Sequence, residues 1–191
     1  YETVLNVAAD GLLEAYKQVL ASKYSSRAVA YRLRYGLSDR ETPMAVAVVA
    51  MIDPRTSGVM YTASPSGGRD IVISSVSGLA ERLVDGSASP DVCVVDRESL
   101  RITDRQQARQ EVRMVALPTG GTALEEIPAR ERPLLAPDDD VVRTLAGYGL
   151  RLEEHFGAPQ DVEWALDDQG GLFIIQSRPF GGGEAAVPSA V

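Results

Sequence analysis

The sequence of 191 residues contains one cysteine, one histidine, one tryptophan and only two lysines. The single cysteine, Cys93, excludes an internal disulfide and a zinc site built from several cysteines, and it favours a buried, unreactive thiol. No apolar run is long enough to span a membrane, and the first residues lack the charged and apolar pattern of a signal peptide. We therefore expect a soluble protein in the reducing cytoplasm.

Both lysines, Lys17 and Lys23, lie near the start of the chain, and every later basic residue is an arginine. No GxxxxGK segment occurs, which excludes a P-loop. The net charge of -8 and the pI near 4.7 argue against binding to nucleic acid or to an anionic membrane, because both require a basic surface. A small anion remains possible where arginines gather in one cleft, since guanidinium groups form paired hydrogen bonds with phosphate.

The pattern of apolar residues is typical of an α+β fold. Helical spacing predicts helices over 10–22, 25–35 and 138–156, the last of which ends at Gly157. Alternating or continuous apolar segments predict strands over 44–52, 57–63, 70–76, 91–96, 111–116, 160–166 and 171–180. We expect one subdomain over 1–180, with a mixed, mainly antiparallel sheet covered by helices.

Three segments carry more specific expectations. The continuous apolar run MAVAVVAMI at 44–52 predicts a strand that is buried on both faces. Residues 117–136 contain several prolines and glycines among charges, which predicts a long surface loop without regular structure. The tail 181–191 has no core-forming pattern and is predicted to be a flexible tail or a linker.

The last two predicted strands carry polar side chains in a suggestive arrangement. Alternation places Asp161 and Glu163 on one face of the first strand, and Gln176 and Arg178, together with Ile174, on one face of the second. If the two polar faces coincide, two carboxylates, an amide and a guanidinium meet in one patch. Oxygen ligands of this kind suit Mg²⁺, and arginine suits phosphate. The alternative is an exposed hairpin whose Arg178 pairs with an acid across the strands.

The segment that contains these residues resembles a known family. Residues 156–180, FGAPQDVEWALDDQGGLFIIQSRPF, are similar to the end of the ATP-binding, ATP-grasp domain in the phosphoenolpyruvate synthase and pyruvate phosphate dikinase family. Three further stretches are similar in the same order: TVLNV with ASKYSSRAVAYR, residues 44–65 and residues 74–97. The resemblance implies the carboxy-terminal half of an ATP-grasp domain whose amino-terminal lid part is missing.

The resemblance also implies a role for each residue of the hairpin. The family's glutamate and glutamine at these positions bind Mg²⁺, so Glu163 and Gln176 are the implied metal ligands. Arg178 is implied as the catalytic residue that contacts the terminal phosphates of ATP. Asp161 is implied to support ATP binding from the same strand, and its alternative role is a structural salt bridge with Arg178.

Other positions match the family less fully. Thr62 matches a threonine that donates to a phosphate, although a threonine in a strand needs no such role. Glu81 matches an acid that faces the ribose or the metal, and the alternative is an acid on a helix surface. Val49 and Ala50 replace the glutamine and lysine that precede the methionine in the family, which leaves adenine recognition open. His155 lies among acids at a helix end and is expected to be structural.

The activity implied for the intact enzyme is transfer of phosphate from ATP to a histidine in another domain of the same polypeptide, and then to pyruvate. The phospho-histidine and pyruvate-binding domains are therefore the implied partners, and the present chain alone is expected to be inactive. Two alternatives stay open. One is a related dikinase with a different acceptor, such as a drug or a glucan. The other is a degenerate binding or regulatory module without turnover.

Overall fold

A computed structural model describes residues 1–180, apart from the side chains of residues 133 and 134. The predicted tail at 181–191 lies outside the described residues. Internal contacts divide the chain into two compact units. Of the described residues, the first comprises Tyr1–Met51 with Ala116–Ala123, and the second comprises Ile52–Val115 with 124–180.

The first unit contains two short helices where the helical spacing predicts them. They are α1, Leu12–Ala21, and α2, Ser26–Arg34. Helix α2 begins at Ser25, whose hydroxyl accepts a hydrogen bond from the Ala28 amide at 3.3 Å. Such a cap satisfies one of the amides that the first helical turn leaves without a backbone partner.

The apolar run at 44–52 departs from the sequence prediction. It forms no strand, and Val48 and Val49 are 75% and 73% exposed. A strand is stable only when its amides and carbonyls are paired with a neighbour, and no strand within residues 1–180 pairs with this segment. The prediction of a strand buried on both faces is therefore wrong for the described chain.

The described residues, 1–180, form eight strands. They are β1 Pro54–Tyr61, β2 Ile71–Ser77, β3 Asp91–Val95, β4 Ile102–Gln106, β5 Val112–Ala116, β6 Thr122–Glu126, β7 Gln160–Asp167 and β8 Leu172–Pro179. Six of them form the sheet of the second unit in the order β4-β3-β2-β1-β7-β8, and every neighbouring pair in it is antiparallel. The predicted mainly antiparallel sheet is confirmed.

Residues 117–136 also differ from the prediction. Instead of an irregular loop they contain β6, which forms a two-stranded sheet with β5, and the short helix α4, Arg132–Leu135. Ile127 is buried, with 1% of its surface exposed. The prolines lie where they do not interrupt pairing, since Pro128 follows β6 and Pro133 lies in the first turn of α4, which requires few amide donors.

One face of the six-stranded sheet is covered by a long helix. This is α5, Asp139–Phe156. The short helix α3, Glu81–Val84, follows β2. Asp138 caps α5 by accepting a hydrogen bond from the Val141 amide at 2.9 Å, and Gly157 ends it with a φ of 68°. The end at Gly157 is as predicted. Within residues 1–180, no helix is long and apolar enough to cross a membrane.

The core lies between α5 and this face of the sheet. Its members are Met60, Ile71, Ile73, Cys93, Val95, Val142, Leu145, Ala146, Val162, Trp164 and Leu166. The strand residues in this set alternate along the chain, so the intervening residues point to the opposite face. Burial raises the pKa of the Cys93 thiol, which agrees with the inert cysteine expected from the sequence.

Candidate functional site

The face of the sheet opposite α5 brings together the four polar side chains of the β7–β8 hairpin. Asp161 lies directly opposite Arg178, and Glu163 lies directly opposite Gln176. Residues that oppose each other in an antiparallel pair place their side chains on the same face. Val162 and Trp164 on the same strand point into the core, so Asp161 and Glu163 point away from it. The two polar faces therefore coincide.

A β-bulge separates this arrangement from the rest of the hairpin. Gln176 is opposite Glu163, but the next pair along β7 joins Trp164 to Ile174, which leaves Ile175 as the extra residue. Ile174 consequently lies on the face of Trp164. The expectation that Ile174 shares a face with Gln176 is wrong, because it assumed regular alternation through the bulge.

Arg178 and Asp161 form an ion pair across the two strands. The guanidinium donates from Nε at 2.8 Å and from Nη2 at 2.7 Å to Asp161 Oδ2. The hydrogen bond from the guanidinium and the nearby negative charge of the carboxylate raise the pKa of Arg178 above its usual value. The Asp161 side chain is 9% exposed, whereas that of Arg178 is 65% exposed. The carboxylate thus holds one edge of a guanidinium whose remainder faces solvent.

An aromatic pair lies beside this ion pair. Tyr61 is opposite Asp161 across β1 and β7, and its ring lies 4.8 Å from that of Phe180, centroid to centroid. Burial and the charge of Asp161 raise the pKa of the Tyr61 hydroxyl. Sequence reasoning missed both aromatics, because only the pairing of β1 with β7 brings Tyr61 next to Asp161. They form an apolar border at the Arg178 end of the patch.

Glu163 and Gln176 are the candidate metal ligands. Directly opposed residues have Cβ atoms about 4.5–5.5 Å apart, which allows a carboxylate and an amide oxygen to converge. Within residues 1–180, no group of three or more acidic, histidine or cysteine side chains is placed to hold a metal. Mg²⁺ commonly takes only one or two carboxylates from the protein, with phosphates and waters as its other ligands. The donor set on this face fits that kind of site.

The structure does not bring Thr62 to the same face. Thr62 follows β1, is completely buried, and has the same alternation as Met60, which points into the core. Its hydroxyl accepts a hydrogen bond from the Gln160 amide at 2.8 Å and also bonds to the Glu153 carboxylate. The hydroxyl is therefore engaged within the fold.

The position of Glu81 along the sheet follows from the strand register. It is the first residue of α3, which follows β2. The last residue of β2, Ser77, is level with Thr56 on β1, and Thr56 is level with Leu166 on β7. Leu166 lies three residues beyond Glu163 along the strand. The chain therefore leaves β2 towards Glu81 at the end of the sheet away from Asp161 and Arg178.

A cavity of about 410 Å³ opens at the C-terminal end of α5 rather than over the hairpin. Arg97, Glu153 and Pro159 are among the residues that line it, and none of the candidate site residues is. Of the four hairpin residues, Gln176 and Arg178 are exposed, Glu163 is half-buried and Asp161 is buried.

The sequence matches a known family over almost its whole length. Residues 1–189 match the AMP/ATP-binding domain of pyruvate phosphate dikinase. The chain belongs to this family. The resemblance inferred from the hairpin motif and the three preceding stretches is thereby confirmed, and the family description identifies the chain as an ATP-binding domain.

Individual relatives agree with the family assignment. The chain is 35% identical to phosphoenolpyruvate synthase of Escherichia coli strain K12, over 93% of the chain and 24% of that protein. It is 39% identical to rifampicin phosphotransferase of a Streptomyces species, over 93% of the chain and 21% of that protein. It is 33% identical to a probable phosphoenolpyruvate synthase of Methanocaldococcus jannaschii, over 93% of the chain and 15% of that protein. The chain thus spans less than a quarter of the length of these relatives.

Proposed function

We propose that this chain contributes the metal and phosphate contacts of a Mg²⁺-ATP site in a phosphoenolpyruvate synthase-like dikinase. The observation that supports the proposal is the direct pairing of Asp161 with Arg178 and of Glu163 with Gln176 on one face of the β7–β8 hairpin. Family membership indicates ATP as the ligand, and the hairpin is the proposed binding site for its phosphates. In this proposal the fold is the carboxy-terminal half of an ATP-grasp domain.

Glu163 and Gln176 hold Mg²⁺ through one carboxylate and one amide oxygen. The proposal requires both oxygens to approach one ion to within about 2.1 Å. When bound, Mg²⁺ neutralises negative charge on the phosphates. The half-buried Glu163 sets the position of the ion, because its neighbours Val162 and Trp164 are fixed in the core.

Arg178 binds the terminal phosphates and stabilises the charge that develops on the transferred group. Its Nε and Nη2 are held by Asp161, so the planar guanidinium keeps one orientation while its exposed edge faces the ligand. Holding the group in place before the ligand arrives reduces the entropy lost on binding. Asp161 is therefore a positioning residue.

The two remaining candidates have lesser parts in the proposal. Glu81 is a candidate ligand for the ribose or the metal by the family pattern alone. The Thr62 hydroxyl would have to leave the Gln160 amide to reach a phosphate, and we assign it to support of β7.

The reaction proposed for the whole enzyme is transfer of phosphate from ATP to a histidine in another domain and then to pyruvate. The chain itself supplies binding and electrostatic stabilisation and is inactive alone. A second candidate is a dikinase with a drug as acceptor, and the 39% identity to rifampicin phosphotransferase favours it. Both candidates require the same ATP site.

The test is calorimetric titration of Mg²⁺-ATP into two proteins: the chain of 191 residues, and a longer polypeptide that extends it upstream. In this proposal a lysine and an arginine from a lid part upstream of residue 1 also contact the phosphates in the intact enzyme. Charge-assisted hydrogen bonds contribute roughly 1.5–3 kcal/mol each, so the loss of two weakens affinity by about two to four powers of ten. The shorter protein is expected to bind weakly or undetectably.

In the longer protein, Glu163→Gln and Arg178→Ala are each expected to weaken binding by about tenfold or more. Asp168→Asn is the matched control, since it removes an exposed carboxylate from the turn of the same hairpin. If Glu163→Gln binds Mg²⁺-ATP as well as Asp168→Asn does, the metal assignment is wrong. Equal, tight binding by the short and long proteins would show that the upstream contacts contribute little.

A further inference from the structure

The register of β8 is weakly determined by its apolar residues. This strand is at the edge of the sheet, and residues 173–176 are all exposed. The bulge at Ile175 already shifts its pairing by one residue. A slip of one residue turns each side chain to the other face, so the positions of Gln176 and Arg178 depend on polar interactions that fix the register, of which the partly exposed Arg178–Asp161 ion pair is one.

A hydrogen bond between side chains on the opposite face supplies such an interaction. Gln160, the first residue of β7, is completely buried, and its Oε1 accepts a hydrogen bond from Ser177 Oγ at 2.8 Å. Its Nε2 donates to the Ala158 carbonyl at 2.8 Å. Gln160 precedes Asp161, and Ser177 lies between Gln176 and Arg178. The bond therefore connects the two strands at the residues adjoining the candidate site.

Gln160 is itself held by a cluster of buried and partly buried polar groups. The backbone amide of Gln160 donates to Thr62 Oγ1 at 2.8 Å, and its backbone carbonyl accepts from the Thr62 backbone amide at 3.0 Å. Arg97 donates to both carboxylate oxygens of Glu153, at 2.6 and 3.0 Å, and to the Thr62 carbonyl at 3.0 Å. Buried polar groups that are all paired resist rearrangement, because any shift leaves a group without its partner.

We infer that Gln160 is a positioning residue of the candidate site, and that its bond to Ser177 fixes the β7–β8 register in which Glu163 faces Gln176. The consequence for metal binding rests on the proposed function, whereas the effect on register does not. Gln160 touches neither metal nor nucleotide in this arrangement. It acts through the positions of Gln176 and Arg178.

The test uses two substitutions with matched controls. Ser177→Ala removes the donor, and Gln160→Leu removes both amide interactions at nearly constant volume. Ser177→Thr keeps the hydroxyl and should restore the behaviour of the original chain. Val142→Ala weakens the α5 side of the core, where Val142 is completely buried, without touching the hydrogen bonds. It controls for loss of stability alone.

Two readouts are measured by nuclear magnetic resonance on the folded 191-residue chain. Cross-strand nuclear Overhauser effects between Glu163 and Gln176 report the register. Line broadening of the same two residues in a Mn²⁺ titration reports metal binding. We expect Ser177→Ala and Gln160→Leu to lose the cross-strand signals in part and to weaken Mn²⁺ binding by about tenfold, as is usual for groups that orient metal ligands. Ser177→Thr and Val142→Ala should retain both.

The outcomes separate this inference from the proposed function. Unchanged cross-strand signals in folded Ser177→Ala and Gln160→Leu would overturn the positioning role, whatever the metal does. Equal losses in Val142→Ala would overturn it too, since general loosening would then explain the result. Absence of Mn²⁺ broadening at Glu163 and Gln176 in the original chain would count against the metal site alone, and the register signals would still decide the role of Gln160.

Discussion

Removal of Arg97 tests how strongly the partly buried ion pair at the end of α5 stabilises the fold. The guanidinium makes three hydrogen bonds, two to the Glu153 carboxylate and one to the Thr62 carbonyl. Loss of one partner of a fully buried pair costs about 3–5 kcal/mol, because the other charge is left without compensation. The Arg97 and Glu153 side chains are 22% and 17% exposed, so water replaces part of the interaction. We therefore expect Arg97→Ala to lower the free energy of unfolding by about 2–3 kcal/mol.

Urea unfolding followed by fluorescence measures this loss, since Trp164 is the single tryptophan and is 1% exposed. Arg143→Ala is the control: Arg143 is 46% exposed and pairs with Asp139 and Asp140 on the surface of α5. Exposed pairs contribute about 0–1 kcal/mol. A loss for Arg97→Ala no larger than that for Arg143→Ala would refute the reasoning.

The remaining predictions concern pH and glycine. The hydrogen bonds from Arg97 lower the pKa of Glu153, so the stabilisation is complete above the ordinary glutamate value of about 4.3 and is lost as the pH falls through the lower folded value. Glu153→Gln should therefore flatten the decline of unfolding free energy below roughly pH 4.5, measured by urea unfolding at each pH. Gly58→Ala should destabilise the sheet by about 2–3 kcal/mol, because a Cβ there would lie 1.9 Å from the Ser74 carbonyl oxygen. Gly147→Ala, in α5 with no neighbour within 4 Å, should raise the thermal midpoint through a gain of about 0.5–1 kcal/mol.

Elements set by local chemistry were predicted from the sequence. Helix α5 was found with its glycine end, and the strands β1, β2, β7 and β8 were found from their apolar segments. The run at 44–52 was misread because an apolar pattern alone does not establish a pairing partner. Residues 117–136 were misread because prolines were counted without regard to where in an element each one lies.

In the candidate site, too, local alternation was predictable and pairing between strands was not. Alternation predicted which side chains share a face within β7 and within β8. It could not predict that the two faces coincide, because that depends on the register across the turn. Tyr61 and Phe180 were missed for the same reason, since a third strand places one of them beside Asp161. The role of Thr62 in the buried cluster likewise depends on contacts with residues far along the chain.

The bulge at Ile175 allows Ile174 and Gln176 of β8 to lie on opposite faces of the sheet. Trp164 points into the core and Ile174 lies opposite it, whereas Glu163, one residue earlier, points to the other face and lies opposite Gln176. Ile174 and Gln176 are two residues apart, so regular alternation would put both on one face. Either the isoleucine would then lie in the polar patch, or the glutamine would point towards the core. One extra residue removes the conflict. Beyond the bulge, however, the apolar residues no longer fix the register of β7 with β8. Gln160 and Ser177 form their hydrogen bond in that part of the hairpin. In the inferred arrangement the bulge places Gln176 on the polar face, and the bond between Gln160 and Ser177 holds the register that the bulge leaves loosely determined.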